Sequence, residues 1–285
     1  MSILLHGDCL EEMKSLDDDS IDLIFCDLPY GQTSCKWDCP IDLDLFWLQV
    51  MRIKKLHTPI FMTTTTKFGV SLINSAPKKC HFRYDIVWVK SHSCGFLNSR
   101  RAPMRKHEMI YVFYEKLPFY DLSSHTHKFL KEGKKSEGDK GNECYGKFKY
   151  FNNGEKGYEP PLPVSVVKEE TGGATGIRKD KHTTAYGDNI HHHCNQQKNG
   201  ESIYDPPLPN SMLEIKSTRG KHSTEKPVAL MEWILKYYSK EGDTILDPTM
   251  GSGSTGIACK NMNRNFIGIE KDPEIYEGAV NRIEG

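Results

Sequence analysis

Two groups of residues, near opposite ends of the chain, have the types and spacing to do chemistry. The first is Asp27-Leu28-Pro29-Tyr30, which closes the largely apolar run 21–26. The Asp27 carboxylate and the Leu28 carbonyl can accept the two N–H bonds of an exocyclic amino group on a planar base. Pro29 removes a donor and stiffens the turn, and Tyr30 offers a ring on which the base can stack. The second group is Asp247-Pro248-Thr-Met250-Gly251-Ser-Gly253-Ser254, followed by Glu270 at the end of another apolar run. Glycines let the backbone approach a ligand closely. An acid about 20 residues past the first glycine of such a turn is placed to bind ribose hydroxyls. The loop lacks the lysine of a phosphate-cradling loop, and Asp247 would repel a pyrophosphate while welcoming an ammonium. S-adenosylmethionine, with its ribose, adenine and ammonium, fits these residues better than ATP or a dinucleotide.

Both groups need strands to position them. Residues 21–26 and 245–246 read as buried strands, with a helix opening near Ser254 and a further strand ending at Glu270. Between them the pattern predicts a helix over 43–55, with Leu45, Leu48 and Met51 at helical spacing. It further predicts a strand at 58–64, a helix at 67–76, and strands at 84–89 and 108–113. Alternating strands and helices predict a doubly wound α/β fold with a mostly parallel sheet, whose ligands bind at the carboxyl ends of the strands. Residues 117–211 differ: they are rich in Gly, Lys, Asn and Pro and poor in apolar periodicity. They contain two near-repeats, Tyr158-Glu-Pro-Pro-Leu-Pro and Tyr204-Asp-Pro-Pro-Leu-Pro, and are read as a functional insertion. His191-His-His-Cys194 lies within it. Contiguous side chains diverge and do not readily share one tetrahedral ion, so no metal is expected.

Asp27-Leu-Pro-Tyr30 resembles the D-P-P-Y motif of amino-directed DNA methyltransferases, and Asp247-Pro-Thr-Met-Gly-Ser-Gly253 resembles their S-adenosylmethionine loop. The catalytic motif precedes the cofactor motif, as in the beta group of that family. His222-Ser223-Thr224-Glu-Lys226-Pro227 resembles the segment leading into the cofactor-binding helix. Gly7-Asp8-Cys9 resembles the strand end that contacts the cofactor adenine. The resemblance implies a seven-stranded Rossmann-like sheet built from residues 1–116 and 212–285, with 117–211 as a target-recognition insertion. It implies a flipped-out base methylated at a site made by Asp27, Leu28, Pro29 and Tyr30. Asp27, Asp8, Cys9, His222, Ser223, Thr224, Lys226, Asp247, Pro248, Met250, Gly251, Gly253, Ser254 and Glu270 would surround the cofactor. An acid at the first motif position favours adenine N6 over cytosine N4. Methylation of RNA or of a protein amide is the more distant alternative.

Charge and composition agree with a double-stranded DNA substrate. The 285 residues carry no formal net charge, but 78–106 hold eight Lys and Arg against Asp85 alone. Lys90, Arg100, Arg101, Arg105 and Lys106 are the candidates for phosphate contacts. No apolar run is long enough to span a bilayer and the N-terminus does not read as a signal peptide, so a cytoplasmic location is expected. The nine cysteines lack metal spacing and are expected to be reduced thiols. The resemblance also admits a homodimer and a cognate restriction enzyme as partners.

Overall fold

The segment Leu-Ile-Phe-Cys at 23–26 has no polar face, so it is stable only as a strand covered on both sides. The computed structural model, which describes residues 1–31, 38–94, 99–124, 126–128, 157–159, 166–167 and 225–285, places it at the sheet centre. Along the chain the elements are β1 (Ser2–His6), α1 (Cys9–Glu12), β2 (Leu23–Cys26), α2 (Leu43–Ile53), β3 (Ile60–Thr64), α3 (Thr66–Ser75), β4 (Phe82–Cys94) and β5 (Arg105–Phe113). Then come β6 (Thr126–Lys128), β7 (Gly157–Glu159), β8 (Val166–Val167), α4 (Val228–Tyr238), β9 (Thr244–Asp247), α5 (Ser254–Asn261), β10 (Asn265–Glu270) and α6 (Pro273–Glu284).

The main sheet has the order β1-β10-β9-β2-β3-β5-β4-β8, and β6 and β7 form a separate antiparallel pair. Neighbours are parallel except where β5 pairs antiparallel with β3 and β4. Seven strands come from the two segments that sequence assigned to the sheet. The eighth, the two-residue β8, comes from the insertion and pairs with Val87 and Trp88. The chain also stays on the body beyond residue 116: the Asp121 N–H donates to the Tyr237 carbonyl, and Tyr120 packs on Tyr238.

Side chains alternate across the sheet, as a strand requires. Leu23, Phe25 and Ile245 join Leu230, Ile234, Ala258 and Ile283 from α4, α5 and α6 on one face. Ile24, Cys26 and Leu246 join Phe46, Val50 and Leu72 from α2 and α3 on the other. Helix α2 forms as expected but turns a different face inward. Leu45 and Leu48 are 50% and 63% exposed, while Phe46, Trp47, Val50 and Ile53 are buried. Both stripes have helical spacing, and the one with two aromatic rings has more apolar area to bury. The Trp47 indole N–H then ties α2 to Ser75 of α3.

From the centre, the chain leaves β9 through α5 toward β10 and leaves β2 through α2 toward β3, in opposite directions along the sheet. That divergence opens a crevice at the carboxyl ends of β9 and β2, where Asp247 and Asp27 stand. Behind the crevice the glycine turn is closed by packing: a Cβ added to Gly253 would lie 2.8 Å from Ile283 Cδ1, and its φ is +79°. Gly278 on α6 faces open space. Gly253→Ala should therefore cost about 1–2 kcal/mol, whereas Gly278→Ala should stabilise by about 0.5–1 kcal/mol. Denaturant midpoints that move the same way for both variants would contradict this packing.

Candidate active site

Asp27 follows β2 directly, and each of its oxygens has partners. Oδ1 accepts from Thr63 Oγ1 on β3 and lies 2.9 Å from the Tyr30 hydroxyl. Oδ2 accepts from Lys226 Nζ at 2.5 Å. The same ammonium lies 3.4 Å from Glu108 Oε1 on β5, and Lys90 of β4 lies 2.7 Å from Glu108 Oε2. Two carboxylates and two ammonium groups thus form one cluster at the carboxyl ends of β2, β3 and β4. Burial works against the charged form of Glu108, but Lys226 and Lys90 outweigh it and hold the carboxyl below its usual range. Burial likewise works against Lys226, and Asp27 and Glu108 prevail, keeping it protonated.

Tyr30 turns inward over this cluster. Its hydroxyl lies 2.9 Å from Asp27, 3.2 Å from Glu108 and 3.3 Å from Thr63, while its ring leans on Phe68 with centroids 5.3 Å apart. The hydroxyl has one proton to donate, so it serves one carboxylate at a time. Burial, then Asp27 and Glu108, push its ionisation far above the usual range. Leu28 buries its side chain, 2% exposed, in the core beneath the turn, leaving only its backbone for the cleft; Pro29 is half-buried. Past the turn, Gly31 adopts φ +63° and its N–H donates to Asp38 at 2.7 Å, anchoring the chain end of the motif.

The glycine turn faces this cluster across a cavity of about 100 Å³ lined by Asp27, Lys226, Asp247, Thr249 and Gly251. Asp247 is 3% exposed; Thr255 and the Thr249 N–H donate to its two oxygens at 2.6 and 3.2 Å. Burial raises its pKa to about 7 despite those bonds. It braces the loop as well as lining the cavity. Gly251, at φ +52°, would project a Cβ into open space, and its N–H donates to Glu270 Oε2 at 3.0 Å. The other Glu270 oxygen accepts from the Asp272 N–H, which leaves each oxygen a further lone pair. Beside Glu270, Asp8 caps α1 through the Leu10 N–H and pairs with Lys271.

Some candidates sit differently from their sequence reading. Gly253 packs on α6 and shapes the turn from behind, whereas Met250 lines the cavity while its sulfur lies against Gly268. Cys9 lies in the core, its thiol pushed up to about 12 mainly by burial. Pro248 is buried at the loop's base, and Ser254, also buried, lines the cavity. Lys226 bonds to the two carboxylates. Lys90 is engaged by Glu108 and lies over the Trp88 ring, so it is not among the outward-facing cations. Arg100, Arg101 and Arg105 are exposed around the β4–β5 connection, at the same sheet edge as the crevice, and Lys106 is half-buried. His222, Ser223, Thr224, the run 191–194 and the second near-repeat lie outside the described residues.

Four participants were missed in the sequence. Glu108 had a signal, an acid between Arg105-Lys106-His107 and the apolar run from Met109, at the mouth of a strand. Glu225 stood inside the 222–227 segment without being singled out, and Thr63 and Arg282 had no signal. The Arg282 guanidinium from α6 lies 2.6 Å from Glu225 and donates to the Ser252 carbonyl at 3.0 Å. It joins the residue before Lys226 to the glycine turn.

A family model described as DNA methylase matches residues 21–281. The type II methyltransferase M2.DpnII of Streptococcus pneumoniae is 45% identical over 71 residues, 25% of this chain and 26% of that protein. M.HindIII of Haemophilus influenzae is 46% identical over 65 residues, 23% of this chain and 21% of that protein, so these two matches span about a quarter of each relative. M.HpaI of Haemophilus parainfluenzae is 24% identical over 290 residues, covering 99% of this chain and 74% of that protein. Among solved structures, a complex of M1.HpyAVI with SAM superposes with a TM-score of 0.57 at 19% identity, covering 99% of this chain and 100% of that one. The cytosine-N4-specific PvuII DNA methyltransferase gives 0.57 at 13% identity, covering 99% and 86%. With the family model spanning both motifs and the strands that carry them, this chain belongs to the DNA methylase family.

Proposed function

We propose that this protein is a site-specific DNA methyltransferase that moves a methyl group from S-adenosylmethionine to the exocyclic amino group of a flipped-out base, adenine N6 ahead of cytosine N4. The observation that carries the reading is the cavity shared by Asp27 and the glycine turn, with Glu270 bonded to that turn. The acid at position 27, where a serine would suit cytosine N4, favours adenine.

The residues present fit the cofactor. Thr249 Oγ1 is buried without a hydrogen-bond partner at the cavity wall, and a buried hydroxyl of that kind calls for one. The open space over Gly251 accommodates a close ligand. Glu270 retains lone pairs for ribose hydroxyls. Asp247, buried and short of cations, gains from a positively charged neighbour. When bound, the cofactor supplies an electrophilic methyl group.

The protein's part in the transfer is orientation and electrostatics. A base within a duplex cannot reach this crevice, so it must leave the stack, and the Tyr30 ring gives it a surface worth about 1–3 kcal/mol of stacking. Asp27 and the Leu28 carbonyl accept the two amine N–H bonds and aim the nitrogen lone pair at the methyl group. Because the nitrogen gains positive charge as it attacks, these acceptors hold the transition state more strongly than the ground state. The surplus proton then passes to Asp27 or to water. Arg100, Arg101 and Arg105 meet the phosphates at the same edge, and residues 117–211 are the segment we assign to reading the sequence.

Asp27→Ala should abolish methyl transfer while leaving S-adenosylmethionine affinity within about tenfold, since the residue orients the amine more than it holds the cofactor. Digesting the product DNA to nucleosides identifies the base; N4-methylcytosine there would select the second reading. Glu270→Ala should weaken cofactor binding by about 1–3 kcal/mol in calorimetry, and unchanged affinity would move the pocket elsewhere. Neutralising Arg100, Arg101 and Arg105 together should flatten the salt dependence of DNA binding, by about 1 in slope per lost phosphate contact. An unaltered slope would mean this face meets solvent only.

A further inference from the structure

Resting on that reading of the site, the ion cluster around Asp27 has a further meaning. The acceptor that the target amine needs is already engaged by a charged donor: Lys226 donates to Asp27 Oδ2 at 2.5 Å. An ammonium N–H and an amine N–H make the same kind of bond to a carboxylate. The ammonium adds a full positive charge beside the nitrogen that must itself become positive. Left in place, Lys226 would compete with the amine for that oxygen and oppose its attack. A second acceptor stands ready, since Glu108 Oε1 is 3.4 Å from the same Nζ. A shift of less than about 1 Å would bring that contact into the ordinary range for an N–H···O bond. Glu108 is itself fixed by Lys90 at 2.7 Å, and the Tyr30 hydroxyl stands 3.2 Å from it as an alternative donor.

We propose that in the free enzyme Lys226 stands in for the target amine on Asp27, and that Glu108 is the positioning residue that receives it when the base enters. The arrangement accounts for two charges that the methyl-transfer chemistry does not otherwise use. It keeps a donor on Asp27 Oδ2 while no substrate is bound, since a partly buried carboxylate oxygen left without a partner is costly. It also links base entry to Tyr30. Entry of the amine moves Lys226 toward the Glu108 oxygen that Tyr30 approaches, so the tyrosine hydroxyl is left to Asp27 and its ring is steadied beside the incoming base.

The test is a double-mutant cycle of Glu108→Gln and Lys226→Met, read by methylation and by DNA binding without cofactor. The binding assay compares a duplex carrying the unmethylated target base with one carrying its analogue lacking only the amino group (purine, for adenine). Glu108→Gln leaves Lys226 on Asp27, so kcat/KM should fall about 100-fold and the preference for the amine-bearing base should disappear. Adding Lys226→Met should then raise activity at least about tenfold above Glu108→Gln alone and restore the preference, a reversal of sign that a merely structural role would not produce. A double variant no better than Glu108→Gln, or a Glu108→Gln enzyme with full activity, overturns the proposal. If melting curves show that Glu108→Gln does not fold, Lys226→Met alone decides: it should bind the amine-bearing duplex with a greater preference than the unsubstituted enzyme, and an equal or smaller preference overturns the proposal. An unsubstituted enzyme that methylates no DNA removes the functional reading and this inference together, whereas a methylating enzyme without the reversal removes only the inference.

Discussion

The charge balance around Asp27 is what the rest of the site depends on. A carboxylate at the end of a strand buried on both faces has lost much of its water and must be compensated locally. Its partners come from β3 through Thr63, from its own turn through Tyr30, and from the chain entering α4 through Lys226. Lys226 then needs Glu108, and Glu108 is shared with Lys90. Each charge is held by a residue on a different element, so strands distant in sequence are held at one edge. Breaking such a cluster by removing one member costs far more than its net contribution to stability, because a partner is left buried and unpaired.

The cofactor half rests on bonds to backbone. Glu270 holds the Gly251 and Asp272 N–H groups, Asp247 holds the Thr249 N–H and the Thr255 hydroxyl, and Arg282 holds the Ser252 carbonyl. A loop fixed at so many points can present the open space at Gly251 without collapsing into it. Preorganisation of this kind lowers the cost of ordering when a ligand binds. The rigid part is the scaffold of the turn, and the bonding capacity still unspent lies on Glu270 and Thr249.

What could be read from sequence was whatever depends on local order along the chain. The strand–turn–helix–strand unit ending at Glu270 and the strand before Asp27 each carry their signal within a few tens of residues, and both reach the crevice. The spacing of Leu45, Leu48 and Met51 located α2 but not its buried face, because two stripes share the helical period and only packing chooses between them. Lys90 was counted as a phosphate contact because its partner, Glu108, is reached only after β4 and β5 pair. Thr63 and Arg282 were invisible for the same reason: an interaction across the sheet or between helices leaves no mark on local spacing. Gly253 belonged to the right motif, but its face of that motif serves packing against α6, and a sequence pattern does not separate the faces.

The two halves of the site meet through a dipeptide. Glu225 and Lys226 are adjacent, yet the first reaches Arg282 and through it Ser252 of the glycine turn, while the second reaches Asp27 and Glu108. Neighbouring residues of an extended chain point to opposite sides, which is what lets one short stretch grip both the glycine turn and Asp27. Pro227 follows at once as the N-cap of α4, and its fixed φ limits how far the dipeptide can turn independently of that helix. A displacement of the chain at this point therefore acts on both carboxylate systems in the same movement. The resemblance of residues 222–227 to a family motif acquires a physical reason: Glu225 and Lys226 are the join between the groups that would hold the methyl donor and the group that would aim the acceptor.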